Sequence, residues 1–131
     1  MGELTDATKN TLIDWVTGKT TPAAVATRYV ALFNGDPQGA GSEVTTTIRP
    51  AGRVALTGAM AAASGGSAGN SGAVDFGNAD AGATITHFAI MDAASAGSVL
   101  GSDALSGGSQ VVSAGNAVSF AIGDLTVELT G

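Results

Sequence analysis

The segment ITHFAIMDAAS, Ile85 to Ser95, carries the single histidine of the chain, His87, and an aspartate five residues later, Asp92. A histidine beside an acid is the start of a general-base arrangement, in which the carboxylate orients the ring and the ring takes a proton from a nucleophile. The spacing argues against it here. In a strand, positions five apart face opposite sides and lie ~16 Å apart, so Asp92 cannot orient His87 locally. Serine is so common in this chain that none stands out as a nucleophile, and no G-x-S-x-G is present. The expectation is a half-buried strand histidine satisfied by a backbone carbonyl, with Asp92 opening a turn.

Other groupings are equally short of chemistry. DFGNADAG offers Asp75, Asn78 and Asp80 within six residues, and oxygen ligands on a loop can take Ca²⁺. The spacing departs from D-x-[DN]-x-[DN]-G and no bidentate glutamate follows, so these residues read as Asx turn formers and no metal site is expected. Carboxylate pairs working on sugars sit among aromatic side chains, and the chain has one Trp and one Tyr, both before residue 30. The glycines form neither G-x-x-x-x-G-K-[ST] nor G-x-G-x-x-G, and no lysine follows Lys19. No catalytic residue, no cofactor and no enzyme activity are expected.

The elements that would position these residues begin with one helix. Leu4 to Thr17 has Thr5 or Asp6 to cap its start, and Gly18 to end it. Leu12, Trp15 and Val16 share a face, with Ile13 beside them. Together with Leu4 they are the candidate interface residues, anchoring the domain to its own sheet or to a neighbouring subunit.

From Ala26 the period changes to two. Tyr29, Ala31 and Phe33 alternate with Arg28, Val30 and Leu32 along Ala26 to Phe33, a strand with both faces covered. NGDPQGAGS is a loop. EVTTTIR, 43–49, reads as a strand with Val44, Thr46 and Ile48 on one face, and after Pro50 a further strand runs through GRVALTGAM, 52–60. AAASGGSAGNSGA, 61–73, is made of small residues and reads as an exposed, mobile loop.

Short strands then recur at 73–78, 83–92, 98–105, 109–114, 116–123 and 125–130. In the last two, Val118, Phe120 and Ile122, then Leu125, Val127 and Leu129, point one way. Such spacing predicts a mainly β domain, an antiparallel β-sandwich or small barrel, with one N-terminal α-helix. The organisation is a helical segment over 1–18 and a β-rich domain over 19–131.

The 131 residues suit one domain, with a lean core: hydrophobic residues reach 44%, much of it alanine, while aromatics are 5%. Such a core gains from a partner that buries more, so a homo-oligomer is expected. All five cations, Lys9, Lys19, Arg28, Arg49 and Arg53, lie in the first 53 positions, and the net charge of −6 belongs to the remainder. Direct nucleic-acid binding needs clustered cations and is not expected. The N-terminus lacks the basic and apolar regions of a Sec signal, and no stretch approaches the ~18 apolar residues that span a bilayer. No membrane partner is expected.

Taken in order, the helix TKNTLIDWVTGK, the strand YVALFNGDP, GSEVT with RVALTGAM, ITHFAIMDAASAGSVLGSDAL and the closing VSFAIGDLTVEL resemble small structural proteins of tailed bacteriophages. TTTIRPAG, 45–52, departs from the glycine- and tyrosine-containing turn expected there. The resemblance implies a virion component, assembled in the host cytoplasm, with no catalytic residues to transfer. It leaves the location open; a lean, alanine-rich domain with an apolar helix and an acidic surface suits first a capsid decoration (cement) protein that binds the major capsid protein, usually as a trimer. The alternative is a tail or tail-fibre-associated protein bound to other virion proteins.

Overall fold

The computed structural model describes residues 3–24 and 26–128. Its centre is the predicted apolar strand. β2 (Tyr29–Asn34) is hydrogen-bonded on one side to β8 (His87–Met91), which pairs in turn with β9 (Val99–Ala104), and β9 with the edge strand β1 (Glu3–Leu4). All these pairings are antiparallel. The other side of β2 is shared by two short strands, β3 (Ser42–Glu43) at one end and β4 (Val54–Ala55) at the other.

The expected strand over 43–49 is instead a helical turn, α2 (Thr45–Ile48), set between β3 and β4. The reason is local. The Leu32 N–H, which a continuous strand would have satisfied, donates to Thr45 Oγ1 at 2.9 Å, and Val44 N–H donates to Leu32 O at 2.8 Å. A side chain has replaced a ladder bond, and the helical spacing then buries Thr45 and Ile48 together. Arg49, before Pro50, is extended and ends the turn. Of the strand expected over 52–60, only β4 forms.

Three two-stranded ribbons complete the fold: β6 (Val74–Asn78) with β11 (Ala117–Phe120), β7 (Ala83–Ile85) with β10 (Gln110–Val112), and β5 (Ser67–Gly69) with β12 (Thr126–Glu128). The sheets do not close into a barrel. The chain is mainly β with antiparallel sheets, as the strand spacing predicts. Leu129 and Thr130, expected in the last strand, lie outside the described residues.

The main core lies between the large sheet and these ribbons. Val30, Leu32 and Phe88 from the sheet meet Ile85, Val74, Phe76, Val118, Phe120 and Leu125. Phe120 stands edge-on to both Phe76 and Phe88, at 6.1 and 5.9 Å between centroids, the geometry aromatic pairs prefer. The opposite sheet face buries Ala31, Phe33, Ala89 and Met91, so β2 is covered on both faces. Ile122 does not join Val118 and Phe120. β11 ends at Phe120, a turn follows, and Ile122 is 70% exposed.

The small-residue run 61–73, expected as an exposed loop, contains β5 and one of the few buried polar side chains. Asn70 is 3% exposed and makes four side-chain hydrogen bonds: its amide donates to Gly72 O and Ala121 O, and its oxygen accepts from Gly123 and Leu125 N–H. Asn70 ties this run to the turn before β12.

Candidate functional site

His87 lies at the start of β8, where the single strand expected over 83–92 is divided. Thr86 is the break. Its N–H donates to Phe33 O, its O accepts from Leu105 N–H, and its hydroxyl accepts from Gly35 N–H at 2.6 Å. The chain switches from the β7–β10 ribbon to the large sheet there, and the alternation slips: Ile85 joins the main core while Ala89 and Met91 face the other way.

His87 is half-buried, as expected, but its partner is a hydroxyl rather than a backbone carbonyl, with Thr86 Oγ1 2.8 Å from Nδ1. The fold also places Glu3, Asp36, Gln38, Ser102 and Asp103 around a cleft of about 260 Å³ with His87. These acids come from distant segments, and no spacing rule could have found them. Gln38 crosses the cleft, donating to Ser102 Oγ and Glu3 O. Asp92 opens a turn: its carboxylate accepts from Ser98 N–H at 2.7 Å.

Asp75, weighed above as a cation ligand, accepts from Gly77 N–H at 2.8 Å in an Asx turn. Among the described residues the shortest ion pair is Glu43 with Arg53, at 2.7 Å. Arg53 also donates to the carbonyls of Ala93 and Ala96, holding the 92–98 turn, where Ala96 adopts φ +53°. The hydrogen bond from Arg53 holds the Glu43 carboxyl below its ordinary value, against the opposing effect of burial, and Thr45 adds a second hydrogen bond.

The candidate interface residues are divided by the structure. The helix α1 (Asp6–Val16) starts later than Leu4, with Thr5 as its cap, accepting from Thr8 N–H. Leu4 belongs instead to β1, opposite Gly101 of β9. The helix is fixed to the sheet edge by polar contacts, since Thr5 N–H and the Thr8 hydroxyl both donate to Leu100 O. Gly18 follows its end at φ +81°, as a terminating glycine does, with its N–H on Trp15 O.

Leu12 is half-buried, but Trp15 is 56% exposed, Val16 74% and Ile13 57%. The outer part of the apolar stripe read from the sequence is thus left exposed among the described residues. A second apolar feature is a groove of about 330 Å³ whose floor reaches the core residues Leu32, Ile85, Val118 and Phe120 and whose rim carries Ser119 and Asp124. Periodicity gave no sign of it, because it lies between elements from four parts of the chain.

The helix thus carries an exposed apolar face on a β-rich body. Residues 3–128 match the family described as Podophage GP4 fiber I protein gp80. The chain belongs to this family. No curated protein matches it. The gp80 match covers nearly the whole β-rich body together with the helix, and it identifies a structural fibre family of tailed phages. It favours the tail-fibre-associated reading over capsid decoration, which it does not support. No helix among the described residues is long and apolar enough to cross a membrane.

Proposed function

We propose that this chain is a non-enzymatic virion structural protein associated with the tail fibre, present as a homo-oligomer bound to other virion proteins. The observation that carries this reading is the gp80 fibre match over residues 3–128. The structure supports it through the helix: Trp15, Val16 and Ile13 are large apolar side chains left in water, and such patches on a folded domain are characteristic of contact surfaces. Leu4 joins the same segment to the sheet edge through β1, opposite Gly101, and the half-buried Leu12 belongs to the proposed anchor with it.

Antibody labelling of intact particles tests the location. Gold at the tail is the expected result, with the chain found by mass spectrometry in purified tails. Labelling distributed over the head, and loss of the chain from tail preparations, would return the protein to capsid decoration.

A further inference from the structure

We propose that the occupant of the groove beside β11 is Trp15 of a second copy of this chain. The proposal deepens the helix-face reading above by naming the partner and the surface it meets. The groove's volume of about 330 Å³ lies at the small end of the ~300–1,000 Å³ range of ligand pockets, a space for one aromatic side chain rather than for a large ligand. Its floor is apolar and continuous with the core through Leu32, Val118 and Phe120. An inserted ring would therefore extend a core that has few rings of its own.

Trp15 fits the complementary role. It is the sole tryptophan of the chain, sits in the last turn of α1, and is more than half exposed. It does not line the groove of its own chain. The helix begins against Leu100 of β9, whereas the first groove-lining residue after it is Leu105, ~16 Å further along the chain.

Charge selects a second copy as the partner. Apart from the buried Leu32, the groove is lined from the part of the chain, from Val54 onward, that has no cation, and Asp124 stands exposed on its rim. The exposed Lys19 follows Trp15 by four residues and has no ion pair among the described residues. Docking of the helix end therefore brings apolar surface to apolar surface and Lys19 towards Asp124, a complementarity that steers and orients association. The contact is heterologous: one surface of each copy meets a different surface of the next. Such an interface closes into a ring or continues as an open filament, according to its rotation.

Trp15 is its own probe. Purified full-length protein is expected to self-associate on sedimentation as its concentration rises, while the tryptophan emission shifts to the blue. Trp15→Ala and Ser119→Arg, which crowds the groove and repels Lys19, each weaken association roughly tenfold or more, as loss of an aromatic hot spot does. Unchanged circular dichroism and melting show that each variant folds.

Mixing the two variants is the decisive arm. Trp15→Ala supplies an intact groove and no tryptophan, and Ser119→Arg supplies the only indole. A 1:1 dimer with blue-shifted emission is expected, because one complete interface remains. Should Ser119→Arg fail to fold, Asp124→Asn replaces it as the groove variant, with weakened association expected and the Trp15→Ala measurement standing independently. A protein that stays monomeric with unshifted emission would overturn the proposal, as would association that survives Trp15→Ala. Either failure leaves the fibre location untouched, since particle labelling decides that separately.

Discussion

Asn70 makes four side-chain hydrogen bonds, as many as Arg53, and it sits in the least informative part of the sequence. Both polar atoms of its amide are used twice, and Leu125 N–H, at a fully buried residue, depends on it. Asn70→Ala orphans the buried Leu125 N–H, at about 1–3 kcal/mol for a buried group left unpaired, and removes the other three bonds. The expected outcome is a clearly lowered urea midpoint. Asn70→Asp is expected to destabilise too, because it sets an anion against the carbonyls of Gly72 and Ala121.

The Glu43–Arg53 pair acts on stability through pH. The folded-state carboxyl titrates below its ordinary value, so its contribution is fully present above the ordinary carboxylate value and is lost as pH falls through the lowered one. Glu43→Gln is therefore expected to melt below the wild type at neutral pH, with the gap closing in acid. A gap independent of pH would show that the charge of Glu43 is not what holds Arg53.

At the scale of elements, the attachment of α1 depends on a small residue opposite β1, the strand that precedes it. A Cβ at Gly101 would lie 3.0 Å from Glu3 O and 3.2 Å from Leu4 Cδ2, closer than such atoms normally approach. Gly101→Val is expected to displace β1 and with it the helix, while the rest of the sheet stays formed. Limited proteolysis would read this as early cleavage within the first 20 residues and a resistant remainder. Cleavage no faster than in the wild type would mean that β1 tolerates the shift. α2 teaches a related lesson. Threonines favour strands, but the Thr45 hydroxyl could supply the bond that Leu32 needs, and the tertiary contact prevailed over propensity.

The molecule as a whole is a layered β body with its polar and apolar surfaces unevenly placed. Its cations lie in the first 53 residues, its unbalanced acids follow, and its most exposed large apolar side chains fall on α1 and on turns and edges of the ribbons. The self-docking and fibre-location experiments above test at this scale what the exposed apolar side chains meet. Neither feature needs a catalytic group, in keeping with membership of a structural fibre family.

Periodicity and punctuation alone determined that this chain is mainly β, that β2 is covered on both faces, that a capped helix precedes it and stops at Gly18, and that Asp92 opens a turn. These are local properties: alternation, capping and turn chemistry act over a few residues and are written where they act. Only the tertiary structure decided that the 43–49 strand becomes α2, that Thr86 breaks a run of apparent alternation, and that Asn70 is buried. It alone decided that Trp15 stays outside while a groove opens beside β11. Each of these depends on which distant backbone or side chain arrives to satisfy a hydrogen bond or cover an apolar face, and no window of sequence contains both partners.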